Sequence, residues 1–267
     1  MFPKIGIIGC GWLGKALANH LKQWNYRVKV TTRTQDKLNK LVSENFDCCL
    51  FSTTEGIEVF NPVFEQDIII IAITPGFKRG LTDYAENIAK IVQCAEANQV
   101  TKIILVSSTG VYQGLEGDVD EGTVLNRTQH KAKILSEVIN FKQQGKVLRL
   151  SGLVAEDRKP GRFLAGKSDL AGANVAINLI HRTDCVGLLM ALIEQETTEA
   201  VFIGVSNTTA TKAEFYSKAA KSLGLMAPHF DLSKMNEGKR KVIGAQTRLW
   251  LNYHYKHDDL LDWLDDN

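Results

Sequence analysis

The chain has 267 residues, enough for one large domain or for one domain with a small additional lobe. Hydrophobic residues make up 44% and charged residues 23%, which is globular composition and excludes a disordered chain. The 32 Lys and Arg residues nearly balance the 30 Asp and Glu residues, so the charge favours neither a nucleic-acid partner nor a membrane surface. No apolar run reaches the ~18 residues of a membrane helix, and the first residues are not typical of a signal peptide. We therefore expect a cytoplasmic protein.

The cysteines predict neither a disulfide framework nor a metal site. They are odd in number, two are adjacent, and no pair has a CxxC spacing or a Cys/His spacing typical of zinc. We interpret them as small buried side chains: Cys10, Cys48, Cys49, Cys94 and Cys185.

The first half of the chain alternates strand-like and helix-like segments. The first helix carries Leu13, Leu17, Leu21 and Trp24 on one face, and the second, with Thr34 as its N-cap, carries Leu41 and Val42. Further helices are predicted around Leu81–Ala95 and His130–Phe141. The predicted strands are Lys4–Gly9, Tyr26–Val30, Asp67–Ile73, Lys102–Ser107 and Val147–Leu150. This alternation predicts an α/β fold, a doubly wound Rossmann sheet that is mostly parallel.

The second half is less regular. It contains a long loop over Ala155–Gly172, then a helix over Asp184–Ile193, a strand over Val201–Val205 and a helix over Thr211–Leu223. We expect residues 1–153 to form a dinucleotide-binding domain to which 178–205 return. A small irregular C-terminal substrate lobe would then comprise 154–177 and 206–267.

The strongest motif is a glycine loop that follows the first strand and opens the first helix. Gly9, Gly11 and Gly14 match GxGxxG, in the context that gives this pattern its meaning. The first glycine allows a tight turn, the second lets the backbone approach a pyrophosphate, and the third lets the helix pack on the strand. The loop residues Trp12 and Leu13 belong to the same predicted cofactor site.

The end of the second strand is expected to meet the adenosine ribose. An NAD site usually has an acid here, about 20 residues beyond the loop. This chain has Thr32 and Arg33 instead, and its nearest acid, Asp36, falls in the next helix. A guanidinium and hydroxyls suit a 2′-phosphate, so NADP is favoured over NAD. We also assign Ile73 and Thr74, at the end of a buried strand, to the cofactor site.

Later motifs resemble a known enzyme family. In chain order they are Ser107–Tyr112 (SSTGVY), Val119–Glu121 (VDE), Val147–Gly152 (VLRLSG) and Asn178–Asp184 (NLIHRTD). Together they resemble the extended short-chain dehydrogenases/reductases of the NAD-dependent epimerase/dehydratase type, over nearly the whole chain. The short GxGxxG departs from the GxxGxxG usual in that family, which indicates an atypical branch.

The resemblance implies an oxidoreductase acting on a carbonyl or alcohol carbon, and it assigns catalytic positions. Ser108 corresponds to the hydroxyl residue that bonds the reacting oxygen, and Lys133 to the lysine that orients the nicotinamide ribose. The family's catalytic tyrosine is replaced by Gln129, and an amide neither gives nor takes a proton near neutral pH. His130 and Tyr112 are alternative proton donors. A non-catalytic NADP(H)-binding redox sensor or scaffold is the alternative function.

The resemblance also indicates partners. A small-molecule substrate is expected, a sugar nucleotide or another anionic carbonyl compound, whose anionic group would meet Arg162 or Lys167. A homodimer would form through the helices around Thr82–Asn98 and His130–Phe141. A β-hydroxyacid dehydrogenase shares the style of the first loop, but the strand-like Val201–Val205 argues against its all-helical C-terminal domain.

Three other motifs are rejected. Residues 161–168 match the Walker A letters, but they follow a polar segment and not a buried strand. No GxSxG nucleophile elbow is present. No histidine has a defensible metal-ligand spacing: His181 is three residues from Asp184 without a second histidine, and His229, His254 and His257 form no recognised pattern.

Overall fold

The computed structural model describes residues 2–74, 76, 83–125, 144–234 and 240–266. Seven strands form the main sheet: β1 (Ile5–Ile8), β2 (Val28–Thr32), β3 (Asp47–Leu50), β4 (Ile68–Ile71), β5 (Lys102–Ser108), β7 (Gly145–Leu150) and β10 (Val201–Gly204). Four short strands form two parallel pairs: β6 (Gly117–Val119) with β11 (Arg240–Val242), and β8 (Gly152–Val154) with β9 (Leu179–His181).

The spatial order of the main sheet is β10-β7-β5-β4-β1-β2-β3, and the pairings from β5 to β3 are parallel. Chain order reverses between β1 and β4, the switch point at which doubly wound sheets bind ligands. The predicted Rossmann fold is confirmed.

The described helices are α1 (Trp12–Gln23), α2 (Gln35–Ser43), α3 (Tyr84–Ala97), α4 (Gly161–Leu164), α5 (Arg182–Glu194), α6 (Lys212–Lys221), α7 (Ala245–Trp250) and α8 (Leu260–Asp265). Among the described residues, none of these helices has the length and apolarity needed to cross a membrane.

By their internal contacts the residues divide into two compact units. Unit 1 comprises Met1–Ser107, Leu125–Leu148 and Leu189–Phe202, and unit 2 comprises Ser108–Val124, Arg149–Leu188 and Ile203–Asn267. The core of unit 1 is built on strands that are buried along their whole length. The four residues of β1 and the four isoleucines of β4 are all buried. Such continuous apolar strands are expected where helices cover both faces of a parallel sheet.

Two apolar residues that the helical spacing assigned to buried faces are exposed. Trp24 is 61% exposed because α1 ends at Gln23, and the chain then turns through Asn25 at φ +61°. Val42 is 50% exposed because α2 buries the neighbouring position, Leu41, and adjacent helical residues point about 100° apart. β3 was not predicted, because its residues are only half-buried and include two cysteines.

Two lysines are buried in unit 1, where they bind backbone carbonyl groups. Lys102 Nζ donates to the Leu192 and Gln195 oxygens at 3.2 and 3.0 Å. Lys146 Nζ donates to the Thr197 and Glu199 oxygens at 2.7 and 2.9 Å, and burial lowers the pKa of Lys146. The ammonium groups therefore satisfy carbonyl oxygens at and just beyond the end of α5, where the helix dipole favours positive charge.

Unit 2 depends on a buried carboxylate. Asp184, in the first turn of α5, is fully buried and accepts three hydrogen bonds. The donors are the Tyr253 hydroxyl at 3.1 Å and the backbone N–H groups of Lys256 and His257 at 2.7 and 3.1 Å. Burial and the Asp184 charge raise the pKa of Tyr253. Asp184 ends the motif Asn178–Asp184, and its contacts are those of a structural anchor for the segment before α8.

Replacing Asp184 by Ala should therefore destabilise the protein by about 3 kcal/mol, because two backbone N–H groups and the Tyr253 hydroxyl lose a fully buried acceptor. Asp266→Ala removes an exposed carboxylate near the end of α8 and is the matched control. Urea unfolding of both variants checks the expectation, which fails if Asp184→Ala is no less stable than Asp266→Ala.

Candidate functional site

The turn between β1 and α1 is built by three glycines. Gly9 has φ +108°, and a Cβ there would lie 2.8 Å from the Ala72 carbonyl oxygen. Its N–H donates to the Thr31 hydroxyl at 3.0 Å. A Cβ on Gly14 would overlap the Gly9 carbonyl oxygen, whereas a Cβ on Gly11 would meet nothing within 4 Å. The first and third glycines are therefore required by packing, and the second faces open space.

The N-terminus of α1 follows this turn at once. Gly11 is the N-cap, no side chain caps the helix, and its first turn holds no acid. The first turn of a helix has N–H groups without intrahelical acceptors, and its dipole is positive there. Such a terminus next to an open glycine is suited to a phosphate group.

A cavity of about 230 Å³ within unit 1 brings together most of the predicted cofactor residues. It is lined by Gly9, Gly11, Thr32, Arg33, Ile73 and Thr74. The other predicted loop residues do not line it. Leu13 and Gly14 are buried in the packing of α1, and Trp12 is half-buried.

The cavity also has lining residues that the sequence reasoning missed. Lys37, in α2, adds a second exposed cation, and Thr53 and Thr54 add hydroxyls just after β3. The carboxyl end of β3 belongs to the same sheet edge as the glycine loop, so recognising this strand would have pointed to both threonines.

Three polar residues at the start of α3 complete the lining. Asp83 accepts from the Asn87 side-chain amide at 3.0 Å, and the Tyr84 hydroxyl donates to the Ile73 oxygen at 3.3 Å. Burial raises the pKa of Tyr84, and likewise that of the Cys10 thiol in the glycine loop.

Unit 2 has a separate cavity of about 330 Å³ that contains Ser108. The Ser108 Oγ accepts the Gly110 N–H at 3.1 Å, and within the described part of the chain no acceptor takes its hydroxyl proton. Two cations, Lys212 and Arg240, line the same cavity, together with Asn178. Among the residues that the structure describes, the lining has no carboxylate.

Comparison with known proteins identifies the family of this chain. A family model described as NAD(P)H-binding matches residues 9–178, more than half of the chain. The chain belongs to the NAD(P)H-binding family.

A sequence relative and several solved structures are similar to this NAD(P)H-binding protein over nearly its whole length. Protein YeeZ of Escherichia coli strain K12 is 29% identical over 270 residues, with 97% of each sequence covered. A putative NAD-dependent epimerase/dehydratase from Methylobacillus flagellatus has a TM-score of 0.76 at 20% identity, covering 98% of this chain and 96% of that chain. The human epimerase family protein SDR39U1 with NADPH has a TM-score of 0.69 at 15% identity, covering 98% of both chains. This chain therefore has the same fold as these two structures.

The Tyr112 hydroxyl, one of the alternative proton donors, is already paired in this structure. Its side chain is fully buried, its hydroxyl donates to the Asp120 carbonyl oxygen at 2.8 Å, and Arg149 donates to it at 2.5 Å. Burial raises the pKa of Tyr112, although the Arg149 charge opposes this. To act on a substrate, Tyr112 would have to give up both bonds. The other positions at issue, Gln129, His130 and Lys133, lie outside the described residues.

Arg162 and Lys167, the cations predicted to bind an anionic substrate group, do not lie at the Ser108 cavity. Both side chains are exposed. The Walker-like stretch that contains them begins in α4, where a Cβ on Gly161 would overlap the Ala219 carbonyl oxygen. That glycine serves packing against α6, which confirms the rejection of a phosphate loop.

The glycine geometry predicts that Gly14→Ala affects mainly stability and that Gly11→Ala affects mainly dinucleotide binding. Gly14→Ala should destabilise the protein by about 1–3 kcal/mol, because its methyl group overlaps the Gly9 carbonyl. Gly11→Ala should fold with a loss under about 1 kcal/mol and weaken dinucleotide binding, because its methyl group enters the open space at the α1 terminus. Thermal unfolding and NADPH titration separate the two, and equal stability of both variants would contradict the packing argument.

Proposed function

We propose that this protein is an NADP(H)-dependent oxidoreductase acting on a carbonyl or alcohol carbon of a small anionic molecule. The observation that carries the proposal is the unit 1 cavity, in which an uncapped helix N-terminus, an open glycine and two exposed cations line one space. These groups fit a dinucleotide with a pyrophosphate and a third phosphate.

The choice of NADP over NAD rests on the residues beside the predicted ribose. Thr32 and Arg33 follow one another at the end of β2, and Lys37 lines the same cavity. Asp36, the nearest acid, does not line it. A forked guanidinium and an ammonium suit the 2′-phosphate of NADP. In NAD sites, a carboxylate typically accepts a hydrogen bond from the 2′-hydroxyl of the ribose.

By resemblance, substrate binding is assigned to the cavity that contains Ser108. A nicotinamide cofactor would supply the hydride chemistry. The Ser108 hydroxyl donates a hydrogen bond to the carbonyl oxygen and stabilises the charge that develops there. Arg240 and Lys212 hold the anionic part of the substrate, for which a sugar nucleotide or another anionic carbonyl compound is suited. By resemblance, Lys133 orients the nicotinamide ribose.

The alternative is a non-catalytic NADP(H)-binding redox sensor or scaffold. Two observations favour it: Gln129 stands at the position of the family tyrosine, and Tyr112 is locked by Asp120 and Arg149. Tight cofactor binding without turnover of any carbonyl substrate would establish this alternative.

Titration with NADPH and NADH, followed by calorimetry, tests the cofactor proposal. Wild-type protein should bind NADPH more tightly, and Arg33→Ala should weaken NADPH binding by about 10-fold to 100-fold while leaving NADH binding unchanged. Arg27→Ala is the matched control, because Arg27 is exposed at the opposite end of β2. Equal loss of both cofactors in Arg33→Ala would overturn the NADP preference, and binding of neither cofactor to the wild type would overturn the proposal.

Turnover is tested by NADPH oxidation with a panel of carbonyl compounds. Ser108→Ala should lower kcat by about 100-fold without changing NADPH affinity, because only the developing oxyanion loses a donor. Arg240→Gln should raise KM for anionic substrates and leave neutral substrates unaffected. An unchanged kcat in Ser108→Ala would remove Ser108 from the mechanism.

A further inference from the structure

Three potential metal ligands that are far apart in the sequence meet within unit 2. Glu156 lies two residues beyond β8, His181 ends β9, and His257 lies between α7 and α8. One ligand atom from each residue lies within 4.8 Å of the others. Neither their spacing nor the cofactor proposal draws attention to this cluster, which shares no residue with the lining of the Ser108 cavity.

His181 is the buried member of the cluster. Its side chain is 1% exposed, and its Nε2 atom lies 3.1 Å from Glu156 Oε1. Among the described residues, the Glu156 carboxylate is the polar group paired with this nitrogen, and the contact does not have the geometry of a full hydrogen bond. Two ligands of one tetrahedral zinc ion with bonds of about 2.0–2.1 Å lie roughly 3.3 Å apart. The separation of Nε2 and Oε1 is close to that value.

The two other ligands are accessible and are held near His181. Arg182 binds Asp157 at 2.8 Å and is 3.9 Å from Glu156, so its main partner is the neighbouring carboxylate. Glu156 is more than half exposed and has room to adjust. The His257 ring centroid lies 4.0 Å from that of His181, and the His257 backbone is fixed by its bond to Asp184.

We propose that Glu156, His181 and His257 bind a divalent transition-metal ion of the zinc class, with a fourth position open to water. Imidazole and carboxylate donors together select such an ion over magnesium or calcium. Nδ1 of His181 now accepts the Thr183 N–H at 3.2 Å, so coordination through Nε2 moves the ring proton to Nδ1 and removes this hydrogen bond. The His181 ring must then turn slightly so that its Nδ1–H no longer faces the Thr183 N–H. In return the ion would tie three separate segments of unit 2 together.

The full-length protein, stripped with EDTA and dialysed, is titrated with ZnCl2 in competition with a chromophoric chelator. One equivalent should bind and raise Tm, and Co²⁺ should give the visible absorption of a four-coordinate site. Glu156→Gln and His257→Ala should each weaken zinc binding at least 10-fold. The matched controls are Asp266→Asn and His254→Ala, which change an exposed carboxylate and an exposed histidine of unit 2 and should bind zinc like the wild type.

Absence of zinc binding, or binding that neither Glu156→Gln nor His257→Ala weakens, would overturn the proposal. Should His257→Ala fail to fold by circular dichroism, Glu156→Gln decides alone, because the Glu156 side chain is exposed. The measurement involves no nicotinamide cofactor, so its outcome is independent of the proposed oxidoreductase activity.

Discussion

The close approach of Gly14 to the Gly9 carbonyl oxygen determines where the first helix begins. Only Gly9, Cys10 and Gly11 separate β1 from α1, and a side chain on the first or third glycine of the motif would force the helix away from the strand. Because the turn is this short, the N–H groups of α1 lie at the carboxyl edge of the parallel strands. The ends of β2 and β4 reach the same edge, and every feature of the unit 1 cavity follows from this arrangement.

Unit 2 is held together by a different principle. Its strand pairs have only three residues per strand, so hydrogen bonds to side-chain acceptors hold its segments together as well. Asp184 fixes the segment at residues 253–257, the Glu121 carboxylate accepts from the Thr247 N–H and hydroxyl at 2.9 and 2.6 Å, and Asn178 accepts the Val242 N–H at 2.7 Å. Each bond joins segments more than 60 residues apart. A unit built in this way brings chemically active side chains together from distant positions, as it does at Ser108.

The parts of the fold that could be predicted are those with a local signal. Ile68–Ile71 is recognisable as a buried strand from composition alone, and the glycine motif identifies its own turn. Asp47–Leu50 has no such signal, because a half-buried edge strand of mixed residues shows no alternation. The convergence of Glu156, His181 and His257 is tertiary, so no spacing rule reveals it. Likewise, Arg240 is placed at the Ser108 cavity by tertiary contacts: β11 pairs with β6, and the Asn178 amide donates to the Arg240 oxygen at 3.3 Å.

Thr31, in β2, holds the glycine turn, whereas the cations proposed to bind the 2′-phosphate lie beyond the strand. Its hydroxyl receives the Gly9 N–H and its carbonyl oxygen receives the Cys10 N–H at 3.0 Å, so this position is committed to the turn. Arg33 and Lys37 are exposed and contribute nothing to the core. Under the proposed function, the preference for a phosphorylated dinucleotide rests on these two surface positions, and both can be replaced without disturbing the turn that Thr31 holds.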